Sequence, residues 1–286
     1  VDRSDLTNGR YQRRVGMSNW NAMTYEGKDT ILGVVRNEAT QFFALADSDE
    51  AWEAPTGAGH WQVRDAVAHI VDTTEAYFVA FDSARANTEM PPAYGLPGMA
   101  ARVDQQALAL RSEPRAALVE RLRTDFDKMM EIFDGLSEED WTGLIVSHFY
   151  MGPLPAFFYP AFQLMDYGVH SWDLRQGTGR AHGLSGDAAD LLVPFMFVLW
   201  KYTTAGDSPR SDIGIRITSG PNAGDTRVTV GPDGMSYEPA DVSDLDTVLE
   251  FDPGSFVLTA FGRSNSGTIR GDRARADRYL NLFFRI

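Results

Sequence analysis

The sequence predicts an α+β protein in two parts: a four-helix bundle with an extra helix, then a small α+β domain with an antiparallel sheet. Two observations carry this. Up to about residue 203 apolar side chains recur at helical spacing, and beyond about residue 210 they alternate with polar ones at the period of a strand. The chain of 286 residues has room for one large domain or two modest ones. The expected division is an N-terminal arm at 1–26, a helical domain at 27–205 and a small α+β domain at 206–286.

The arm is polar and irregular, with Trp20 and Tyr25 as its aromatic residues. A first helix follows from Lys28 to about Leu45, with Ile31, Val34, Val35, Ala39, Phe42 and Phe43 at helical spacing. The turn-rich EAPTGAGHW ends it, and a second helix runs from about Val63 to Ala84 with His69 two turns in. TEMPPAYGLPG (88–98) is too rich in proline and glycine for a helix and reads as a long loop. A third amphipathic stretch spans roughly Met99 to Leu136, with Pro114 expected to break or kink it. SEEDW (137–141) reads as a turn and a helix start, and SHFYMGPLPAFFYP as a buried loop entering the next helix. That fourth helix carries QLMDYGVHSWDL to about Gln176 and ends at Gly177 and Gly179. Ser185 is placed as the N-cap of a fifth helix reaching Thr203, kinked at Pro194. IGIRITSG and DTRVTVGPDGMSY then alternate, with PDG as the turn of a hairpin. TVLEFDP is a further strand, followed by a short helix at about 254–261, a strand at GTIRG and a closing helix at 273–285.

The composition, 43% hydrophobic and 23% charged, is that of an ordinary soluble protein. A net charge of −14 with a pI near 4.7 repels nucleic acid and anionic membranes at long range, although acidity is also a common route to solubility. With no cysteine, disulfides, Cys-based zinc ribbons and a cysteine nucleophile are excluded, so thiol chemistry needs a thiol from outside. The start of the chain shows no signal peptide, and the apolar run 144–165 is interrupted by Gly152, Pro153, Pro155 and Pro160. The expectation is a cytoplasmic protein with neither nucleic-acid nor membrane partner; the sequence leaves the oligomeric state open.

The chemistry is expected in 163–174. Asp166 and His170 are four residues apart and Asp173 follows three later, so all three share one helix face. A carboxylate and an imidazole one turn apart can bind a divalent metal, and His69 on the second helix is the candidate third ligand. Two imidazoles and one carboxylate leave positions open for water and substrate, as catalytic rather than closed sites do. The competing reading makes Asp166 and His170 an ordinary intrahelical pair and His69 a core histidine bonded to a carbonyl or to Asp65. Asp173 is expected behind His170 as its orienting carboxylate, and Asp65 behind His69. His148 lies in an aromatic segment where it can line a pocket, whereas His60 and His182 are assigned to packing or solvent. GTGRAHG (177–183) follows a helix instead of a strand, so a phosphate loop is discounted.

These residues resemble a known family. GHWQVRDAVAHIVDTTEAYF (59–78), through Trp61, Arg64, Asp65 and His69, is similar to the Trp-x-x-Arg-Asp…His signature of DinB-like, mycothiol-dependent maleylpyruvate isomerases and S-transferases of actinobacteria. DYGVHSWDL (166–174) is similar to its acidic-x-x-x-His-x-x-Asp signature. The resemblance implies a metal-binding four-helix bundle joined to a small sterol-carrier-like domain, which LEFDPGSFVLTAFGRSNSGTIRGDRARADRYLNLF fits loosely. It implies a metal, usually zinc, on His69, Asp166 and His170, and mycothiol as cosubstrate. It also implies that the small domain closes over the site and supplies an arginine, from among Arg216, Arg227, Arg263 and Arg270. The family often has Glu where this chain has Asp166, one methylene shorter.

The expected activity is a metal-dependent transfer of the thiol to an electrophilic small molecule. A maleylpyruvate-type cis–trans isomerase is one alternative. A non-haem Fe(II) enzyme built on the same two histidines and carboxylate is a second. A non-catalytic small-molecule-binding protein on this scaffold is a third.

Overall fold

A computed structural model describes residues 18–48, 50–179, 183–205 and 209–283. His182, residues 1–17 of the arm and the expected linker at 206–208 lie outside the described residues. The chain divides into two compact units, Asn21–Ala188 and one made by the residues from Ala189 onward, which Trp20 joins.

The helical unit opens with α1 (Lys28–Ala46), whose buried face carries Ile31, Leu32, Val35, Ala39 and Phe42. The end of the expected arm is not free: Trp141, fully buried, donates its indole N–H to the carbonyl of Ala22 (3.1 Å). Helix α2 (Val63–Ala86) starts where the Asp65 carboxylate accepts the Gln62 backbone N–H (2.8 Å) while the Asp65 N–H donates to the Gln62 carbonyl (2.9 Å). It ends at Asn87, which takes the left-handed conformation at φ 51°. The third stretch splits at Pro114 into α3 (Met99–Ala109) and α4 (Arg115–Asp134), separated by a 3₁₀ turn at Leu110–Ser112. Proline lacks the N–H that a continuous helix needs there and serves as the N-cap of α4 instead. A Ser137–Asp140 capping box starts α5 (Glu138–Gly143).

The segment expected as a loop before the next helix is a hairpin, with β1 (Ile145–His148) antiparallel to β2 (Gly152–Pro155). Its two prolines remove ladder donors, which a two-stranded ribbon tolerates because each strand is an edge. Helix α6 (Phe158–Gly177) begins earlier than the polar pattern suggested. Pro160 stands in its first turn, where the backbone N–H has no helical acceptor, so the residue permits the early start. Most of α6 is buried, and it packs on α1 and α2.

Helix α7 (Gly186–Thr203) opens in the helical unit and spends the rest of its length in the second unit. The observed division at 188/189 thus differs from the boundary expected near 206. The reason is packing: Trp200 meets Phe256 and Tyr279 edge-on at ring-centroid distances of 5.0 and 5.5 Å and stacks on Phe283 at 4.8 Å. Five strands follow in the order β5-β4-β3-β6-β7: β3 (Ser211–Ile217), β4 (Gly224–Gly231), β5 (Gly234–Pro239), β6 (Thr247–Phe251) and β7 (Thr268–Gly271). Helices α8 (Pro253–Ala260) and α9 (Arg273–Leu280) flank β7 in sequence. Three pairings are antiparallel, but β3 and β6 run parallel, a pairing the alternation pattern does not reveal. The segment after β5 returns the chain past the hairpin to the free side of β3, and that crossover sets the direction.

Candidate metal centre

The centre lies wholly in the helical unit, between α2 and α6. His69, Asp166 and His170 each offer one ligand atom, and these atoms lie within 4.8 Å of one another. His69 Nε2 is 3.4 Å from Asp166 Oδ1, and the two imidazole rings meet edge-to-face at 5.2 Å. Side-chain exposures of 11, 15 and 9% for His69, Asp166 and His170 describe a sheltered site that solvent still reaches. The intrahelical pairing of Asp166 with His170 is not what is seen: Asp166 faces His69 across the helices, and His170 turns to Asp173.

Each imidazole has one nitrogen engaged and one left over. His170 Nδ1 is 2.9 Å from Asp173 Oδ2, and the Asp173 side chain is fully buried. An ionised carboxylate can only accept, so Nδ1 carries the proton and Nε2 keeps its lone pair. Burial pushes the His170 pKa below its ordinary value against the opposing pull of Asp173. His170 is therefore neutral near pH 7, the form a metal ligand needs. His69 Nδ1 lies 3.3 Å from Thr73 Oγ1, one helical turn on, which leaves Nε2 directed at Asp166. Asp166 Oδ2 is buried without a hydrogen-bond partner among the described residues. An orphaned carboxylate oxygen beside two bare imidazole nitrogens is a donor set lacking its acceptor, and its chemistry fits a divalent cation.

Asp65 is placed differently from the expectation. Its buried carboxylate receives Arg111 Nε and Nη2 at 2.6 and 2.7 Å and the Gln62 N–H at 2.8 Å, so it caps α2 and does not reach His69. Burial would raise its pKa, but Arg111 and the Gln62 amide hold it below the usual carboxylate range. The helix geometry explains the outcome, since a residue in the first turn is claimed by the free N–H groups there.

Trp61 closes one side, its ring 5.3 Å from His69 and 5.7 Å from His170. Its indole N–H is held by Asp104 at 2.8 Å, and the same carboxylate pairs with the exposed His60 at 2.9 Å. The segment bearing Trp61 is pinned to the end of α6 by a hydrogen bond from Gly57 N to Asp173 O (2.8 Å). A side chain at Gly177 would come within 1.8 Å of the Pro55 carbonyl oxygen, so only glycine allows this approach. Thr73, Asp104 and Arg111 were not singled out from the sequence: Thr73 had a signal in its place four residues after His69, whereas Asp104 and Arg111, far off in sequence, had none. Among the arginines considered for the site, Arg216 binds Asp225 and Glu250, Arg227 binds Asp244, and Arg270 binds Glu250, all within their own unit. Arg263 donates to the Phe261 carbonyl (3.2 Å). Among the described helices none is long and apolar enough to cross a membrane.

Comparison with known proteins adds to this geometry. Residues 35–175 match the family model of the mycothiol maleylpyruvate isomerase N-terminal domain. A crystal structure of a mycothiol-dependent maleylpyruvate isomerase superposes with a TM-score of 0.58 at 15% identity, covering 85% of this chain and 92% of that one. A structure of a histidine-to-alanine mutant of such an isomerase matches with the same figures. At that identity the likeness establishes the fold. None of the curated proteins matches the chain in sequence. The match over 35–175, on the stretch that holds His69, Asp166 and His170, makes the helical unit a member of the mycothiol maleylpyruvate isomerase N-terminal domain family.

Proposed function

We propose that this chain is a metal-dependent enzyme that uses mycothiol, a low-molecular-weight thiol, to attack an electrophilic small molecule. The carrying observation is the convergence of His69, Asp166 and His170, with a carboxylate oxygen left unpaired among them. His69 and His170 would hold the metal through Nε2 and Asp166 through its carboxylate. A dication such as zinc, only half neutralised by one carboxylate, favours an anionic fourth partner and so stabilises the thiolate over the thiol.

The chain's own residues do the rest. Asp173 fixes the proton of His170 on Nδ1, and Thr73 steadies the ring of His69. Trp61 lays an apolar face along both imidazoles and excludes water from that side. A thiolate kept from bulk water is free to add to an electrophilic carbon. If the adduct is released, the outcome is S-transfer, the reaction expected from the sequence. If sulfur is expelled after bond rotation, the outcome is cis–trans isomerisation. The family match supports the second outcome, and both share the addition step. The cytoplasm remains the compartment we assign, because it is where a small-thiol pool is maintained.

The test is metal analysis of protein purified without added metal, then an assay of mycothiol consumption and of maleylpyruvate isomerisation. Zinc with thiol-dependent turnover supports the reading. Iron with oxidative turnover replaces it with the non-haem alternative, and an intact fold with neither metal nor turnover replaces it with the binding protein.

A further inference from the structure

One buried histidine outside the donor set is built as a hydrogen-bond donor. On α2, Thr73 and Tyr77 follow His69 at successive turns; on α6, Phe162 and Tyr159 precede Asp166 along the same face. The two rows converge on His148, the last residue of β1, whose ring lies 5.0 Å from Phe162 and 5.9 Å from Tyr77. Phe162 is one turn, about 6 Å along the axis, from Asp166. His148 therefore stands at the aromatic end of a strip whose other end is the metal centre.

Its tautomer is set by the hairpin turn. Nδ1 accepts the backbone N–H groups of Tyr150 (3.3 Å) and Met151 (3.2 Å), so the proton is on Nε2. The Nε2–H points away from that turn and has no partner among the described residues. The residue is buried, at 8% exposure, with Tyr150 and Tyr159 also packed on its ring at 6.0 and 6.3 Å. Burial pushes its pKa down to about 4 despite the field of Asp166, which keeps the imidazole neutral near pH 7.

We propose that His148 is a further catalytic residue of this site, donating from Nε2–H to the carbonyl oxygen of a planar α,β-unsaturated carbonyl substrate that lies along this aromatic strip. The inference rests on the thiol-addition reading above. When sulfur forms a bond to the β-carbon, the C=C electron pair moves into the Cα–carbonyl bond and the carbonyl π pair moves onto oxygen. The Nε2–H stabilises that enolate oxygen without surrendering its proton. Return of the electrons expels sulfur and restores the double bond after rotation, or a solvent proton at the α-carbon completes the conjugate. A neutral donor fits a carbonyl oxygen that becomes anionic only during reaction, because it favours the developing charge over the ground state. Aromatic walls fit a flat conjugated body.

The test uses two substitutions that separate the ring's two nitrogens. His148→Asn keeps an acceptor where Nδ1 serves the turn and removes the distal donor; His148→Gln places an amide N–H near Nε2 and gives up the turn acceptor. Both are assayed with mycothiol on 4-phenylbut-3-en-2-one, a conjugated aryl ketone, and on benzyl chloride, which has no carbonyl. Loss of a donor to a developing oxyanion lowers kcat by about 10²–10³-fold. The expected result is that loss for His148→Asn on the ketone alone, with metal content and benzyl chloride turnover unchanged, and partial recovery in His148→Gln. A His148→Asn enzyme as fast as wild type on the ketone overturns the proposal while thiol addition stands. Wild type that accepts benzyl chloride but not the ketone overturns the carbonyl assignment, and wild type that binds no metal and consumes no thiol overturns both readings. Loss in His148→Gln with His148→Asn unaffected assigns His148 to the turn and overturns the catalytic role.

Discussion

Two charged clusters, one in each unit, are built on opposite accounts. In the sheet, Arg216 bridges Asp225 on β4 (2.8 and 2.9 Å) and Glu250 on β6 (3.0 Å), and Arg270 on β7 reaches Glu250 at 2.8 Å. Every carboxylate there faces a guanidinium. In the helical unit, Asp166 faces two imidazoles and no guanidinium, and keeps one oxygen without a partner. The difference teaches where to look for chemistry: a cluster whose charges cancel has closed its own interactions, and a sheltered cluster with donor atoms to spare is shaped for something outside the chain.

Removing one leg of the open cluster breaks the comparison most sharply. His69→Ala and His170→Ala are each expected to abolish metal retention and return thiol addition to the uncatalysed rate, with circular dichroism unchanged. Metal retained in both variants would make the open cluster structural. Asp173→Asn is milder: His170 stays, but its tautomer is no longer enforced, and metal affinity or activity falls by about 10–100-fold. A competition titration with a chelator reads this directly.

The closed cluster should respond in stability alone. Arg216→Ala leaves Asp225 without its guanidinium, while Glu250 keeps Arg270, and costs about 1–2 kcal/mol in denaturant unfolding, with metal content unaltered. Loss of metal in this variant would contradict the separation of the two clusters.

The smallest effect comes from Asp125 on α4, whose pKa is raised to about 6 by burial and then by Glu75 beside it. An acid whose folded pKa exceeds its unfolded value binds more protons when folded between those values, so stability falls as pH rises from about 4 to 6. Asp125→Asn should flatten that slope and gain on the order of 1 kcal/mol above pH 6. A slope identical to wild type would show that Asp125 does not carry the titration.

How legible these features were depends on the range of the interaction. Helix α2, the break at Pro114 and the β4–β5 hairpin were readable because periodicity, a missing N–H and turn chemistry act within a few residues. The Asp166–His170 spacing was readable for the same reason, being one turn of helix. The β1–β2 hairpin was missed because Gly152 and the prolines mark a break without saying that the flanking residues pair. Asp65 was misplaced because its chain position suited two roles, and Arg111, 46 residues away, settled which one it plays.

By itself the sequence determined the class of fold, most of its helices and strands and the Asp166–His170 pair, since each follows from local spacing. Only the tertiary structure decided that Asp166 turns to His69 while His170 turns to Asp173, that β3 and β6 run parallel, and that α7 belongs mostly with the sheet. Those outcomes depend on which surfaces bury one another, and burial is a property of the packed chain that no stretch of residues carries alone.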